Sequence, residues 1–171
     1  MTMAKISFAV LIAAPLVFAG ASAFAAENLS ATDQTFVREA AAGNMAEVQE
    51  AQLAQQKAAN AEIKAFASKM VADHTQAQNE LQQIASLEKI NLPAEPTPAQ
   101  RRNYTELSRL SGAQFDRKYA QQQVSDHQRT IELFRTEASN GRNQQLKTYA
   151  QKTLPILQQH LQMAEGLTRK S

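Results

Sequence analysis

The chain has 171 residues, with 18 Lys and Arg against 16 Asp and Glu, for a formal net charge of +2. That near balance, with no run of like charges, excludes the electrostatics of a nucleic-acid or anionic-membrane binder. With no cysteine there is no disulfide framework, so the core alone must supply stability. The scarcity of Gly and Pro against abundant Ala and Gln is a helical composition.

Residues 1–25 read as a secretory signal peptide. Lys5 gives a positive start, residues 6–19 are apolar, and Ala23-Phe24-Ala25 offers a small-x-small cleavage site before Ala26, with Ala21-Ser22-Ala23 as a competitor. The apolar stretch is shorter than the roughly 20 residues that span a bilayer. No cysteine follows it for lipid attachment. Cleavage removes Lys5 and no acid, which lowers the net charge by one. The expected mature chain, residues 26–171, is one domain, periplasmic or secreted, with no membrane attachment.

Four long helical patterns and one short one follow. The first runs from a cap at Asp33 to about Lys57, with Phe36, Ala40, Gly43, Glu47, Ala51 and Ala54 on one stripe. Asn60 caps the second, which runs to about Lys89 with Ile63, Phe66, Met70, His74, Ala77, Leu81 and Ile84 inward. Residues 91–98 break the pattern with Pro93, Pro96 and Pro98. Pro98 suits the first turn of a short helix carrying Tyr104, Leu107 and Leu110 and ending near Ser111-Gly112.

The third long helix covers residues 113–139, with Phe115, Tyr119, His127, Ile131, Phe134 and Ala138 on its buried face, and Asn140-Gly141 closes it. The fourth covers residues 143–170, with Leu146, Ala150, Leu157, His160, Leu161, Ala164 and Leu167 inward. Pro155 lies inside it and removes the amide that would bond the Gln151 carbonyl, which predicts a kink. Two tight hairpins joined by a long crossover predict an all-α, ferritin-like four-helix bundle with a short extra helix in the crossover. The second and third long helices are then parallel.

A nine-residue pattern occurs twice, Phe66-Ala67-Ser68-Lys69-Met70-Val71-Ala72-Asp73-His74 and Tyr119-Ala120-Gln121-Gln122-Gln123-Val124-Ser125-Asp126-His127. Both histidines lie about 14 residues into their helices and so share a level if those helices are parallel. Glu47 and His160 fall about one turn away on the same side. Helical side chains lean towards their own N-terminus, so all four lean together. Glu47, His74, His127 and His160, one per helix, are the candidate ligands of one transition-metal ion, for which imidazole suits Zn, Fe, Cu or Ni.

Asp73 and Asp126 point about 100° away from the adjacent histidines and are candidates for a supporting shell or the surface. The competing reading is a structural polar layer of neutral histidines bonded to Glu47, tyrosines or backbone. Glu39, Glu50, Glu62, Glu80, Glu132 and Glu137 read as solvated, and Met45, Met70 and Met163 as core filler.

The di-iron carboxylate signature needs Glu three residues before a ligand histidine, and here those positions are Val71, Val124 and Leu157. No nucleophile–base–acid set, phosphate loop or haem-attachment motif is present, so no catalytic residue is assigned.

The stretches Phe66-Ala67…Asp73-His74, Ser111-Gly112…Phe115-Asp116…Tyr119…Asp126-His127 and Leu154-Pro155…His160-Leu161 resemble the domain of unknown function family 4142. The resemblance runs from about Asp33 to Leu167. Its recurrent positions match Glu47, Asp73, His74, Asp116, Asp126, His127, Pro155 and His160. It implies a secreted or periplasmic ferritin-like bundle of bacteria and supplies no activity.

The expected function is a periplasmic, metal-binding bundle protein in envelope stress or metal handling. A non-catalytic structural or interaction module is the alternative, and a redox or peroxide-consuming metalloenzyme the third reading. Nucleic acid is not expected as a partner; a protein partner or a homo-oligomer is compatible with the sequence.

Overall fold

A computed structural model describes residues 29–169; the expected signal peptide lies outside these residues. Five helices occur among them: α1 (Ala31–Lys57), α2 (Ala61–Glu88), α3 (Pro98–Ser108), α4 (Gly112–Asn140) and α5 (Gln144–Thr168). No strand is present among the described residues, and no helix among them is long and apolar enough to cross a membrane.

Most helix starts lie where the sequence signals them. Asn60 and Asn143 cap α2 and α5 by accepting backbone N–H bonds through their side chains. Thr97 and Gln100 form a capping box ahead of Pro98. The start of α1 differs from expectation. Ser30 is the cap, and Asp33 sits at the third helical position, closing a capping box back onto Ser30. Asp33 lies three residues before Phe36, where the apolar stripe begins, whereas Ser30 lies six before it. Between α3 and α4 the chain turns through Gly112 at φ 54°, a left-handed conformation that glycine adopts without strain.

The four long helices form two antiparallel hairpins, α1–α2 and α4–α5, which pack side by side through α1 against α4 and α2 against α5. Asp116, near the start of α4, accepts from the backbone N–H groups of Ala59 (3.1 Å) and Asn60 (2.9 Å) in the α1–α2 turn. At the opposite end Asp33 accepts from those of Arg142 (2.9 Å) and Asn143 (3.2 Å) in the α4–α5 turn. Each hairpin thus grips the turn of the other. These contacts place the starts of α2 and α4 at one end, so the two helices are parallel and diagonal across the bundle. The chain is therefore an all-α bundle with a long crossover, as the spacing predicts. Within that crossover, α3 lies against α1 and α4, with Leu107 fully buried.

The core has two apolar halves. One contains Phe66, Met70, Phe115, Tyr119 and Ala164; the other contains Phe36, Leu81, Ile131, Phe134 and Leu157. Each fully buried large apolar side chain contributes about 1.5–3 kcal/mol relative to exposure. Along α2, α4 and α5 the histidines fall between the halves, so His74, His127 and His160 form a polar layer at mid-bundle.

Candidate metal centre

The three rings meet. Their centroids are 5.8 Å apart for His74–His127, 5.5 Å for His74–His160 and 5.4 Å for His127–His160. All three are buried, and one ring nitrogen from each lies within 4.8 Å of the others.

The second nitrogen of each ring is tied to an oxygen. Nδ1 of His74 lies 2.9 Å from Asn44 Oδ1, Nδ1 of His127 lies 2.9 Å from the Gln123 carbonyl, and Nε2 of His160 lies 2.7 Å from Asp73 Oδ2. These oxygens accept only, so each bonded nitrogen carries the proton. Asn44 is itself oriented, because its Nδ2 donates to the Tyr149 hydroxyl, which donates to the Ala77 carbonyl. The remaining atoms, Nε2 of His74, Nε2 of His127 and Nδ1 of His160, hold lone pairs. They are buried without a hydrogen-bond partner.

Burial keeps all three rings neutral. It pushes His74 well below the usual 6.5, helped by the His127 and His160 rings, and takes His127 down to about 4, helped by His160. Burial also lowers His160, against the opposing pull of Asp73. The 2.7 Å contact of His160 with Asp73 is therefore a hydrogen bond from a neutral ring, not an ion pair. Burial tends to raise Asp73, but Lys69 at 2.9 Å and His160 outweigh it and hold the carboxyl below its ordinary value.

Three converging imidazole lone pairs, each ring oriented through its other N–H by an oxygen acceptor, are the donor set of a transition-metal site. Nitrogen ligands about 2.0–2.1 Å from a tetrahedral ion lie about 3.3 Å apart. From a spread of 4.8 Å, each ring closes in by less than about 1 Å.

Glu47, expected as a fourth ligand, is held elsewhere. Its Oε2 accepts from Gln123 Nε2 at 2.8 Å, and it lines a cleft between α1 and α4. Gln123, whose amide holds Glu47, is fully buried one turn before His127. Asp73 supports His160, whereas Asp126 pairs with Arg129 and makes no bond to a histidine among the described residues.

Two glutamates expected to be solvated are buried. Glu50 is 2% exposed and accepts from Gln122 Nε2 at 2.8 Å through both oxygens. Glu137 is fully buried beside Asp33. Both face the bundle because α1 and α4 lie against each other, a pairing that single-helix stripes do not reveal. Burial and the charges of Glu47 and Asp126 raise Glu50 to about 9; burial and Asp126 raise Glu47 to about 8.

Asn44, Gln122 and Gln123 were not singled out by sequence. Asn44 carried a usable signal, since a poor helix former in the middle of a 27-residue helix invites a specific role.

No curated protein shows a significant match to this chain. Among solved structures, the crystal structure of a DUF305 fragment from Deinococcus radiodurans aligns with a TM-score of 0.73 at 10% sequence identity, covering 84% of this chain and 99% of that one. At that identity the likeness is one of fold. The family model described as Domain of unknown function (DUF4142) matches residues 19–167, a span that includes all three histidines and the aspartates that tie the hairpins together. The chain belongs to the DUF4142 family.

Proposed function

We propose that this protein binds one transition-metal ion through His74, His127 and His160 and serves metal handling in the periplasm. One observation carries the reading: three buried ring nitrogens lack partners, lie within 4.8 Å of one another, and belong to rings whose other nitrogens are already committed. A purely structural layer would be expected to satisfy those atoms, because an unsatisfied buried polar atom costs about 1–3 kcal/mol. Three imidazoles with no thiolate suit Zn, Cu, Fe or Ni. A bound ion would complete the missing contacts. Asn44, the Gln123 carbonyl and Asp73 would hold the rings, and Asp73 would partly offset the positive charge through His160.

The compartment rests on residues 1–25, whose positive start, apolar stretch and Ala23-Phe24-Ala25 site are those of a secretory signal. Periplasmic material should begin near Ala26; material beginning at Met1 would overturn that part.

The deciding experiment is elemental analysis of untagged protein from the periplasm, with thermal unfolding of the same sample with and without a strong chelator. About one metal per chain and a midpoint lowered by the chelator are expected. A metal-free preparation that takes up none of the four ions, with a chelator-insensitive midpoint, would leave the histidines as a structural layer.

A further inference from the structure

A second group of unusual side chains lies on the α1/α4 face. Glu47, Glu50 and Asp126 line a cleft of about 240 Å³ that also reaches Gln100 of α3 and the solvent-facing Glu39. Glu47 is 8% exposed and Glu50 2%, yet among the described residues neither is bonded to a cation. Their hydrogen-bond partners are glutamine amides, Gln123 for Glu47 and Gln122 for Glu50. Arg129, the one cationic side chain lining the cleft, is committed to Asp126 and to the Ser125 hydroxyl. Three carboxylates less one guanidinium would leave two negative charges. Buried carboxylates are costly unless paired or bound to a cation.

An independent feature points to a ligand. Gln123 is fully buried, and its amide reaches the cluster with Nε2 2.8 Å from Glu47, yet its Oε1 has no partner. The Tyr119 hydroxyl is likewise fully buried and unpartnered, within electrostatic reach of Glu47 and Glu50. Two neutral oxygens thus lack a bonding partner beside carboxylates that lack a counter-ion. Every donor here is oxygen, whereas every free donor of the histidine layer is nitrogen.

We propose that the α1/α4 cleft is a second cation site, in which Glu47, Glu50 and Asp126, with the Gln123 amide oxygen, take a hard divalent ion of the Mn(II) or Ca(II) class. Hard cations prefer carboxylate and carbonyl oxygens, and the net charge of Glu47, Glu50 and Asp126 with Arg129 matches one such ion, Glu39 being paired with Arg38. The site is separate from the histidine layer and does not depend on it. Gln123 touches both, since its backbone carbonyl holds His127 and its side chain holds Glu47.

The test uses the mature chain, with Mn(II) binding followed by electron paramagnetic resonance and Tb(III) binding by tyrosine-sensitised emission. One saturable equivalent is expected for each probe. Glu50→Gln and Glu47→Gln should each weaken it at least about tenfold, while His127→Ala changes it by less than about twofold. Zn(II) binding should respond in the opposite way, lost in His127→Ala and kept in Glu50→Gln. Folding is checked by circular dichroism. If both glutamate variants fail to fold, Asp126→Asn carries the same expectation at a partly exposed carboxylate. Absence of saturable Mn(II) and Tb(III) binding would overturn the proposal. So would loss of that binding in His127→Ala but not in the acid variants, or an equal loss in Glu132→Gln at an exposed carboxylate.

Discussion

Asp73 Oδ2 lies 2.7 Å from His160 Nε2 across the α2/α5 interface, so the carboxylate one residue before His74 holds a different histidine. A carboxylate bonded to the remote nitrogen fixes the ring and makes the near nitrogen a better donor, an effect usually worth about 10–100-fold in metal affinity. Asp73→Asn and Asn44→Ala should therefore each weaken Zn(II) binding about 10–100-fold. Alanine at His74, His127 or His160 should cost more. Titration calorimetry of the single variants checks this, and equal effects for Asp126→Asn and Asp73→Asn would contradict the geometry.

Acid should destabilise the metal-free protein through the same rings. Their folded pKa values lie below the unfolded 6.5, so the unfolded chain binds protons first. The contribution is complete above about pH 6.5 and is lost as pH falls through the folded values, which for His127 means towards about 4. For His127 alone the loss is at most about 3 kcal/mol. Metal affinity should fall over the same acid window because protons compete for the ligand nitrogens. Chelator-treated protein melted between pH 7 and 4 tests the sign, and His127→Ala should flatten the slope.

The α1/α4 carboxyls titrate the other way. Glu47 and Glu50 are raised to about 8 and about 9, so the folded state keeps their protons longer than the unfolded chain does. Their contribution is complete below about pH 4.5, shrinks as pH rises, and is lost once pH passes their folded values. Above about pH 6.5, where the histidine contribution is complete and no longer opposes it, metal-free protein should melt at progressively lower temperature up to about pH 9, and Glu50→Gln should reduce that decline. A midpoint that keeps rising across this range would show that the two groups are ionised in the fold.

Gly141 leaves α4 where a larger residue does not fit. A Cβ there would overlap the Glu137 carboxyl and lie 2.7 Å from the Glu137 backbone oxygen, so the helix end itself would have to move. Gly141→Ala should cost about 1–3 kcal/mol by denaturant unfolding, although its φ of −58° suits alanine.

Asp116 serves two backbone N–H groups at once and is 4% exposed. Asp116→Ala leaves both donors without their acceptor and should cost about 3 kcal/mol. Hydrogen exchange should report the loss locally, with faster exchange at Ala59 and Asn60 than at the α4–α5 turn.

The bundle was legible in the sequence because three kinds of signal agreed: apolar stripes at helical period, a cap at Asn60, and, past residue 28, prolines only in the crossover and at Pro155. The histidine level was legible from the Asp-His repeat and the parallel order of its two helices. What escaped was the choice of partner across the interface. Depth along a helix placed Glu47 about one turn from the histidine level, but its carboxylate is held by the Gln123 amide and lines the α1/α4 cleft. For the same reason Glu50 read as solvated: a carboxylate flanking a stripe is exposed or buried according to which neighbour covers that side, and α4 covers it here.

The paired aspartates at the two ends of the bundle make its halves interchangeable. Asp33 belongs to the first hairpin and fastens the second, and Asp116 does the reverse. Neither bond depends on the crossover, which could be cut within residues 91–96 without removing a tie between the hairpins. By the same token, two copies of the chain could trade hairpins and remake every fastening between molecules, so the crossover sets which half a hairpin meets first rather than whether the halves fit.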